Sequence, residues 1–173
     1  MGLSEGLTVG MMPLQNTVFS TDHRDVCALV QKANLVAVVS IVDTQEDTIQ
    51  KSRTGEKVGH RNVIRVWQPI RVQEVLGPNT PSTFQNITLQ TYALDPQPPA
   101  PDPLNARYPG AYAEGMYVMF LRGVNATVYE TVEGWKGVYP LRDGRLSVLE
   151  GYGLPSLTEM NKDTLKQMVQ RCK

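Results

Sequence analysis

With two histidines and two cysteines in 173 residues, the chain has little of the chemistry that builds metal centres or base-assisted nucleophiles. His23 and His60 are the candidate imidazole bases, which leaves few arrangements for a Ser-His-Asp or Cys-His device. An excess of either charge is lacking too. Seventeen basic and 17 acidic side chains cancel, so bulk attraction to nucleic acid or anionic lipid is disfavoured. No long apolar run is present: the stretch Leu35 to Val42 is broken by Ser40 and falls short of the ~18 residues that cross a bilayer. Met1 to Asn16 has neither a basic n-region nor an apolar h-region, so no signal peptide is read there, and residues 1–20 are expected to form a flexible lead. What is there suffices for one domain over residues 21–173, because 41% hydrophobic and 20% charged residues can build a single core.

The motifs that match a catalytic pattern lack its context. Gly2-Leu3-Ser4-Glu5-Gly6 satisfies G-x-S-x-G, but no strand precedes it to drive the serine onto a strained turn, and the match reads as coincidence. His23 and Cys27 stand four residues apart beside Asp22. Two ligands from one helical turn fall short of a four-ligand site, so a solvated histidine beside a core-facing cysteine is expected, with no metal and no cofactor. Glu46-Asp47, Asp143 and Glu150 sit in loops or turns and form no catalytic pair. Gly134-Trp135-Lys136-Gly137 is too short for a phosphate loop and lacks a following helix. A non-enzymatic role is therefore expected. Cys27 and Cys172 fit one disulfide tying the terminal segments in an oxidising compartment, or two half-buried thiols.

Periodicity supplies the architecture. Thr21 or Asp22 caps a first helix whose Val26, Leu29, Val30 and Ala33 share one face, and Asn34 ends it. Leu35 to Val42 reads as a strand apolar on both faces, hence central in a sheet. Residues 43–59 are polar, a loop or a solvent-facing hairpin tip. From Arg61 to Leu76, Ile64, Val66, Ile70, Val72 and Leu76 fall on one parity and Arg61, Arg65, Trp67, Arg71 and Gln73 on the other, the pattern of a strand with one wet face. Pro69 lacks a ladder donor and should mark an edge or bulge. Asn86 to Tyr92 alternates as the next strand. Six of the 12 prolines fall between Asp95 and Gly110, which should be an extended connector rather than helix. Met116 to Leu121, Thr127 to Val132 and Gly137 to Leu141 follow as strands, and Asp143-Gly144 turns the chain into Arg145 to Leu149. Ser156 and Glu159 suggest a capping box for a closing helix striped by Leu165, Met168, Val169 and Cys172. The expected fold is mainly β: a small closed antiparallel barrel, an OB-like Greek key, with an N-terminal and a C-terminal helix.

The segments Val30 to Val42 (VQKANLVAVVSIV), Ile64 to Leu76 (IRVWQPIRVQEVL) followed by Gly77, and Gly115 to Leu121 (GMYVMFL) occur in an order that resembles netrin-like, tissue metalloproteinase inhibitor-like OB barrels, as found in uncharacterised bacterial cell-envelope proteins. Asn34 stands where that pattern has aspartate, Ser40 where it has glycine, and no lysine separates Leu76 from Gly77. The inhibitors act through an N-terminal cysteine whose amine and carbonyl reach zinc. Nothing at Met1 matches it, so metalloproteinase inhibition is not implied.

Two surfaces stand out. Arg61, Arg65, Trp67 and Arg71 project from one strand, with Tyr92 beside them, the basic and aromatic mixture by which OB folds hold single-stranded nucleic acid. Alternating arginines also protect a sheet edge, and zero net charge weighs against nucleic acid. The other surface is the proline-rich connector. The expectation is an extracytoplasmic binding module whose partner, a protein or envelope component, is unknown; a single-strand binder using Arg65, Trp67, Arg71 and Tyr92 is the alternative, and an enzyme of unrecognised type the third.

Overall fold

The computed structural model describes residues 24–42, 48–78, 86–148 and 153–172. The expected lead, the Gly2 to Gly6 motif, the caps Thr21 and Asp22, His23, Glu46-Asp47 and Glu150 lie outside them. Helix α1 covers residues 24–32, and its stripe of Val26, Leu29, Val30 and Ala33 is buried as the spacing predicts. Asn34 closes it: its N–H donates to the Leu121 carbonyl at 2.7 Å, and its Oδ1 accepts from the Gly123 N–H at 2.6 Å.

Strand β1 (Leu35–Ile41) is buried at all seven positions. Its β-branched residues suit a strand, and both its edges and both its faces are covered. β3 (Arg61–Pro78) pairs with one edge and β5 (Gly115–Gly123) with the other, both antiparallel. Leu35, Ala37, Val39 and Ile41 join Ile70, Val72 and Leu89 in one core, while Val36 and Val38 join a second with Leu29 of α1. Ser40, the polar exception, accepts from Gln73 Nε2 at 2.7 Å.

Strand β2 (Gln50–Val58) forms a hairpin with β3, so the described part of the segment 43–59, expected to be a loop or a solvent-facing hairpin tip, contributes a full strand instead. β4 (Asn86–Asp95) lies along the opposite edge of β3 from Asn62 to Arg71. Pro69 lies at a local edge within the long strand and not at a bulge. On the side away from β4, pairing with β2 ends at Trp67 and pairing with β1 begins at Arg71, so the missing proline donor falls in the gap between two partners. The arginine-bearing strand is therefore central, which removes edge protection as its explanation.

The remaining strands are β6 (Val128–Thr131), β7 (Val138–Arg142) and β8 (Arg145–Leu146). Asp143 and Gly144 both have positive φ in the turn between the last two, as a two-residue hairpin loop requires. The sheet order is β1-β3-β4-β6-β5-β7-β8, with β2 added on β3 and a further pairing of β5 with β1. The structure is mainly β, as expected. The antiparallel closed barrel is corrected to a mixed sheet that is not a clear barrel. β4 and β6 run parallel through two register pairs, Thr88 with Val128 and Leu89 with Tyr129. The cause is parity: the pairings β1-β3-β4-β6-β5-β1 form a cycle of five, and alternating directions cannot close on an odd number.

Two further expectations are corrected. Residues 95–110 are not wholly extended: Leu104–Arg107 form a single helical turn, α2, started by Asp102 Oδ1 accepting from the Leu104 N–H at 2.9 Å. The closing helix α3 (Lys162–Gln170) is capped by Asn161, whose side chain accepts from the Asp163 N–H at 2.7 Å, and not by Ser156 with Glu159. Glu159 has φ 62°, a left-handed conformation that separates the 3₁₀ turn Pro155–Leu157 from the helix. The stripe holds: Leu165, Met168 and Val169 are buried in the α1 core, and Cys172 is bonded to Cys27 with Cα atoms 5.0 Å apart. Of the two readings of the cysteines, the structure has the disulfide.

Candidate functional site

Cross-strand register decides which side chains meet. Arg65 of β3 faces Tyr92 of β4, and Trp67 faces Gln90. The Arg65 guanidinium lies 5.8 Å from the Trp67 ring centroid and 6.0 Å from that of Tyr92, so one cation serves two π faces. The Trp67 indole N–H donates to Gln90 Oε1 at 2.8 Å, and Gln90 Nε2 donates to Glu130 Oε2 at 2.8 Å. Arg122 pairs with the other Glu130 oxygen at 3.3 Å. Sequence parity therefore finds Arg65, Trp67 and Tyr92 together. It misses Gln90, Glu130 and Arg122, which join them across the sheet.

The other two predicted members stand apart. Arg61 Nη1 donates to the Pro96 carbonyl at 2.6 Å and clamps the start of the connector. Arg71 is exposed at the far end of the β3–β4 pairing, opposite Asn86. The cluster is thus largely a self-satisfied network, although Arg65 Nε is buried without a hydrogen-bond partner. A stacking platform presents open ring faces, whereas here the guanidinium already lies against both rings.

A second surface lies on the other face of the same strands. Register places Lys51 opposite Val66, Arg53 opposite Ile64, and Ala93 opposite Ile64 from the far side, so these five residues share a face. Above it runs the connector, bonded to β4 at several points. The Gly110 N–H donates to the Tyr92 carbonyl at 2.8 Å, Thr91 Oγ1 donates to the Gly110 carbonyl at 2.8 Å, and Gln97 Oε1 accepts from the Leu94 N–H at 3.2 Å. Between hairpin and connector lie two adjoining troughs of about 520 and 600 Å³, with Lys51, Ala93 and Gln97 in the walls of both. The first contains Arg53, Ile64 and Asp95; the second contains Pro98, Ala100 and Trp135.

Gln68 fixes the far end of this surface. It is fully buried on the core parity of β3; its Nε2 donates to the Tyr112 carbonyl at 2.8 Å, and its Oε1 accepts from the Tyr112 N–H at 2.9 Å. The Tyr112 ring is thereby held in the core, edge-on to Trp135 with centroids 4.7 Å apart. Burial pushes the Tyr112 hydroxyl well above the ordinary phenol range. A glutamine at an apolar-parity position is a signal the sequence carried. Its partner, a main-chain unit 44 residues on, was not readable.

Other charge pairs support the frame. Glu74 accepts from Lys162 Nζ at 2.6 Å and Lys166 Nζ at 3.4 Å, joining β3 to α3; the Lys162 bond holds the Glu74 carboxyl below its ordinary value. Cys27 is in a disulfide and so is no partner for a metal with His23. Among the described residues no three His, Cys, Asp or Glu side chains are grouped to hold a metal ion, and no helix is long and apolar enough to cross a membrane. In comparison with known proteins, no family model matches the chain and no curated protein resembles it in sequence.

Proposed function

We propose that the chain is a non-enzymatic binding module that holds a segment of a partner protein in the groove between the β2–β3 hairpin and the connector. The observation that carries this is the groove itself, two adjoining troughs of about 520 and 600 Å³ with Ile64, Val66 and Ala93 among their walls. Recognition sites are typically such concave, mainly apolar surfaces with a few polar groups. The five-strand cycle of pairings and its parallel β4–β6 contact support an OB-like barrel as the scaffold, of the netrin-like kind that the strand order resembles. The Cys27–Cys172 bond supports an extracytoplasmic location, because oxidising compartments are where such bonds persist.

The test is selection of displayed random peptides on the purified protein, with each recovered clone retested on Ala100→Trp. Ala100 is exposed on the connector and lines the larger trough, so an indole there adds bulk to the groove wall at a position outside the core. Loss of binding in that variant is the expected result. Recovery of no clone, or binding untouched by the filled groove, overturns the reading.

A single-strand nucleic-acid binder is the second reading, favoured by Arg65 between Trp67 and Tyr92. A salt-sensitive gel shift that Trp67→Ala abolishes would establish it in place of the first; no shift at low salt ends it.

A further inference from the structure

We propose that Asn125 is an acceptor for N-linked glycosylation, on a part of the molecule that the groove does not use. The acceptor triplet Asn-x-Ser/Thr, with x other than proline, occurs twice in the chain, as Asn86-Ile87-Thr88 and Asn125-Ala126-Thr127. A transferase has to draw the triplet into its own cleft, so a surface loop can serve and a segment locked in a sheet cannot. The two triplets differ in this respect. Asn86 opens β4 opposite Arg71, Ile87 is buried in the core, and the Thr88 N–H donates to the Thr127 carbonyl at 2.9 Å. Lifting that triplet out strips a core side chain and a strand pairing. Asn125 stands instead in the turn between β5 and β6, where every residue from Arg122 to Thr127 is exposed.

The turn also presets the acceptor amide. The N–H groups of Val124 and Asn125 both donate to the Val128 carbonyl, at 2.8 and 3.2 Å. Asn125 Oδ1 accepts from the Thr127 and Val128 N–H groups, both at 3.0 Å, and from the Thr127 hydroxyl at 3.4 Å. The two main-chain donors fix which end of the amide is the oxygen, and Nδ2 is left without a hydrogen-bond partner among the described residues. The hydroxyl that the triplet requires thus lies against the amide that is to react. In the reaction Nδ2 bonds to the anomeric carbon of a glycan carried on a lipid pyrophosphate. The bond from that carbon to the pyrophosphate oxygen breaks, the lipid pyrophosphate leaves with the electron pair, and one amide proton passes to a base of the transferase. Such transfer belongs to the extracytoplasmic side of a membrane, the location that the Cys27–Cys172 bond supports, and the site rests on that location and not on the groove. Its position is nevertheless compatible with the groove. Val128 pairs with Thr88 near the start of β4, whereas the groove walls contain Ala93, Leu94 and Asp95 near its end. At ~3.3 Å per residue the turn is about 20 Å from those walls, so a glycan there leaves the groove open.

The test incubates the purified, oxidised full chain with a single-subunit oligosaccharyltransferase and a polyprenyl-pyrophosphate-linked oligosaccharide, and reads intact mass and glycopeptides by mass spectrometry. Expected is a single glycan, on Asn125, unchanged in Asn86→Gln and lost in Asn125→Gln. Thr127→Ala guards against a variant that merely misfolds. It keeps both main-chain bonds to Oδ1 and alters an exposed side chain, so it should melt within about 2 °C of wild type. Its glycan transfer should nevertheless fall at least about tenfold, and Thr127→Ser, which preserves the triplet, should retain transfer. No transfer to the folded chain, transfer to Asn86 in place of Asn125, or transfer to Asn125 that survives Thr127→Ala each overturns the proposal.

Discussion

Replacing Gln68 should detach the end of the connector from the sheet. Gln68 satisfies both main-chain groups of Tyr112 through bonds of 2.8 and 2.9 Å, and both residues are buried. Gln68→Leu keeps the approximate volume but leaves a buried N–H and a buried carbonyl unpaired, at about 1–3 kcal/mol each. The gain from burying an apolar side chain returns about 1–2 kcal/mol of that. The middle of these ranges gives a net loss of about 2.5 kcal/mol, and for a chain of this length it lowers the melting temperature by roughly 5–10 °C. Gln68→Glu supplies the control. Its carboxylate can accept from the Tyr112 N–H but cannot donate to the carbonyl, and burial raises its pKa above the unfolded value near ~4.3. Below that unfolded pKa the acid is neutral in both states and can donate, so the deficit is small; as pH rises the buried group must either ionise or hold a proton that the unfolded chain releases, and the deficit grows. Thermal melts by circular dichroism from acid to neutral pH read both effects. A Gln68→Leu variant that melts within about 2 °C of wild type, or a Gln68→Glu deficit that does not change with pH, refutes the two-bond account.

Reduction of Cys27–Cys172 opens a loop of 145 residues and on chain-entropy grounds removes about 5 kcal/mol, so melting with and without a phosphine reductant should differ by roughly 10–20 °C; a difference of only a few degrees would sink that estimate. Glu74→Gln should cost about 0.5–1 kcal/mol at neutral pH, the scale of a partly exposed pair. Because Lys162 lowers the folded carboxyl pKa, that contribution is full above the unfolded value and disappears as pH falls through the folded one, which urea titrations at several pH values will show. Gly137→Ala should destabilise by more than about 2 kcal/mol, because an added Cβ would meet the Val132 carbonyl at 2.5 Å and the Phe120 carbonyl at 3.2 Å, main-chain atoms that cannot swing aside. Denaturant midpoints measure it.

Local periodicity was a good guide where burial is regular. The α1 stripe, the doubly buried β1 and the alternation along β3 were legible because each residue's environment repeats with its element's period. The cap at Asn161 was not, because Ser156 and Glu159 match the capping pattern and only the left-handed Glu159 displaces the start. The parallel contact was equally hidden: it joins residues 88–89 to 128–129, and its direction follows from closing the pairing cycle rather than from either segment. At the candidate sites, parity placed Arg65 with Trp67 and Tyr92, yet could not show that Gln90 and Glu130 occupy their polar groups. The groove was visible only as an excess of proline. Its walls depend on register across three strands and on main-chain bonds that pin the connector to β4.

The disulfide has a mechanical consequence distinct from its thermodynamic one. Cys27 in α1 and Cys172, just past α3, have Cα positions 5.0 Å apart and are joined covalently. Tension applied through the chain on either side of the pair therefore passes across one sulfur bridge and bypasses the strands. Under load the module acts as a closed link, with the 144 residues between the cysteines held as hidden length until the bridge is reduced. Pulled from both flanks in a force spectrometer, the oxidised domain should show no unfolding step from within that loop, and a reductant should release it.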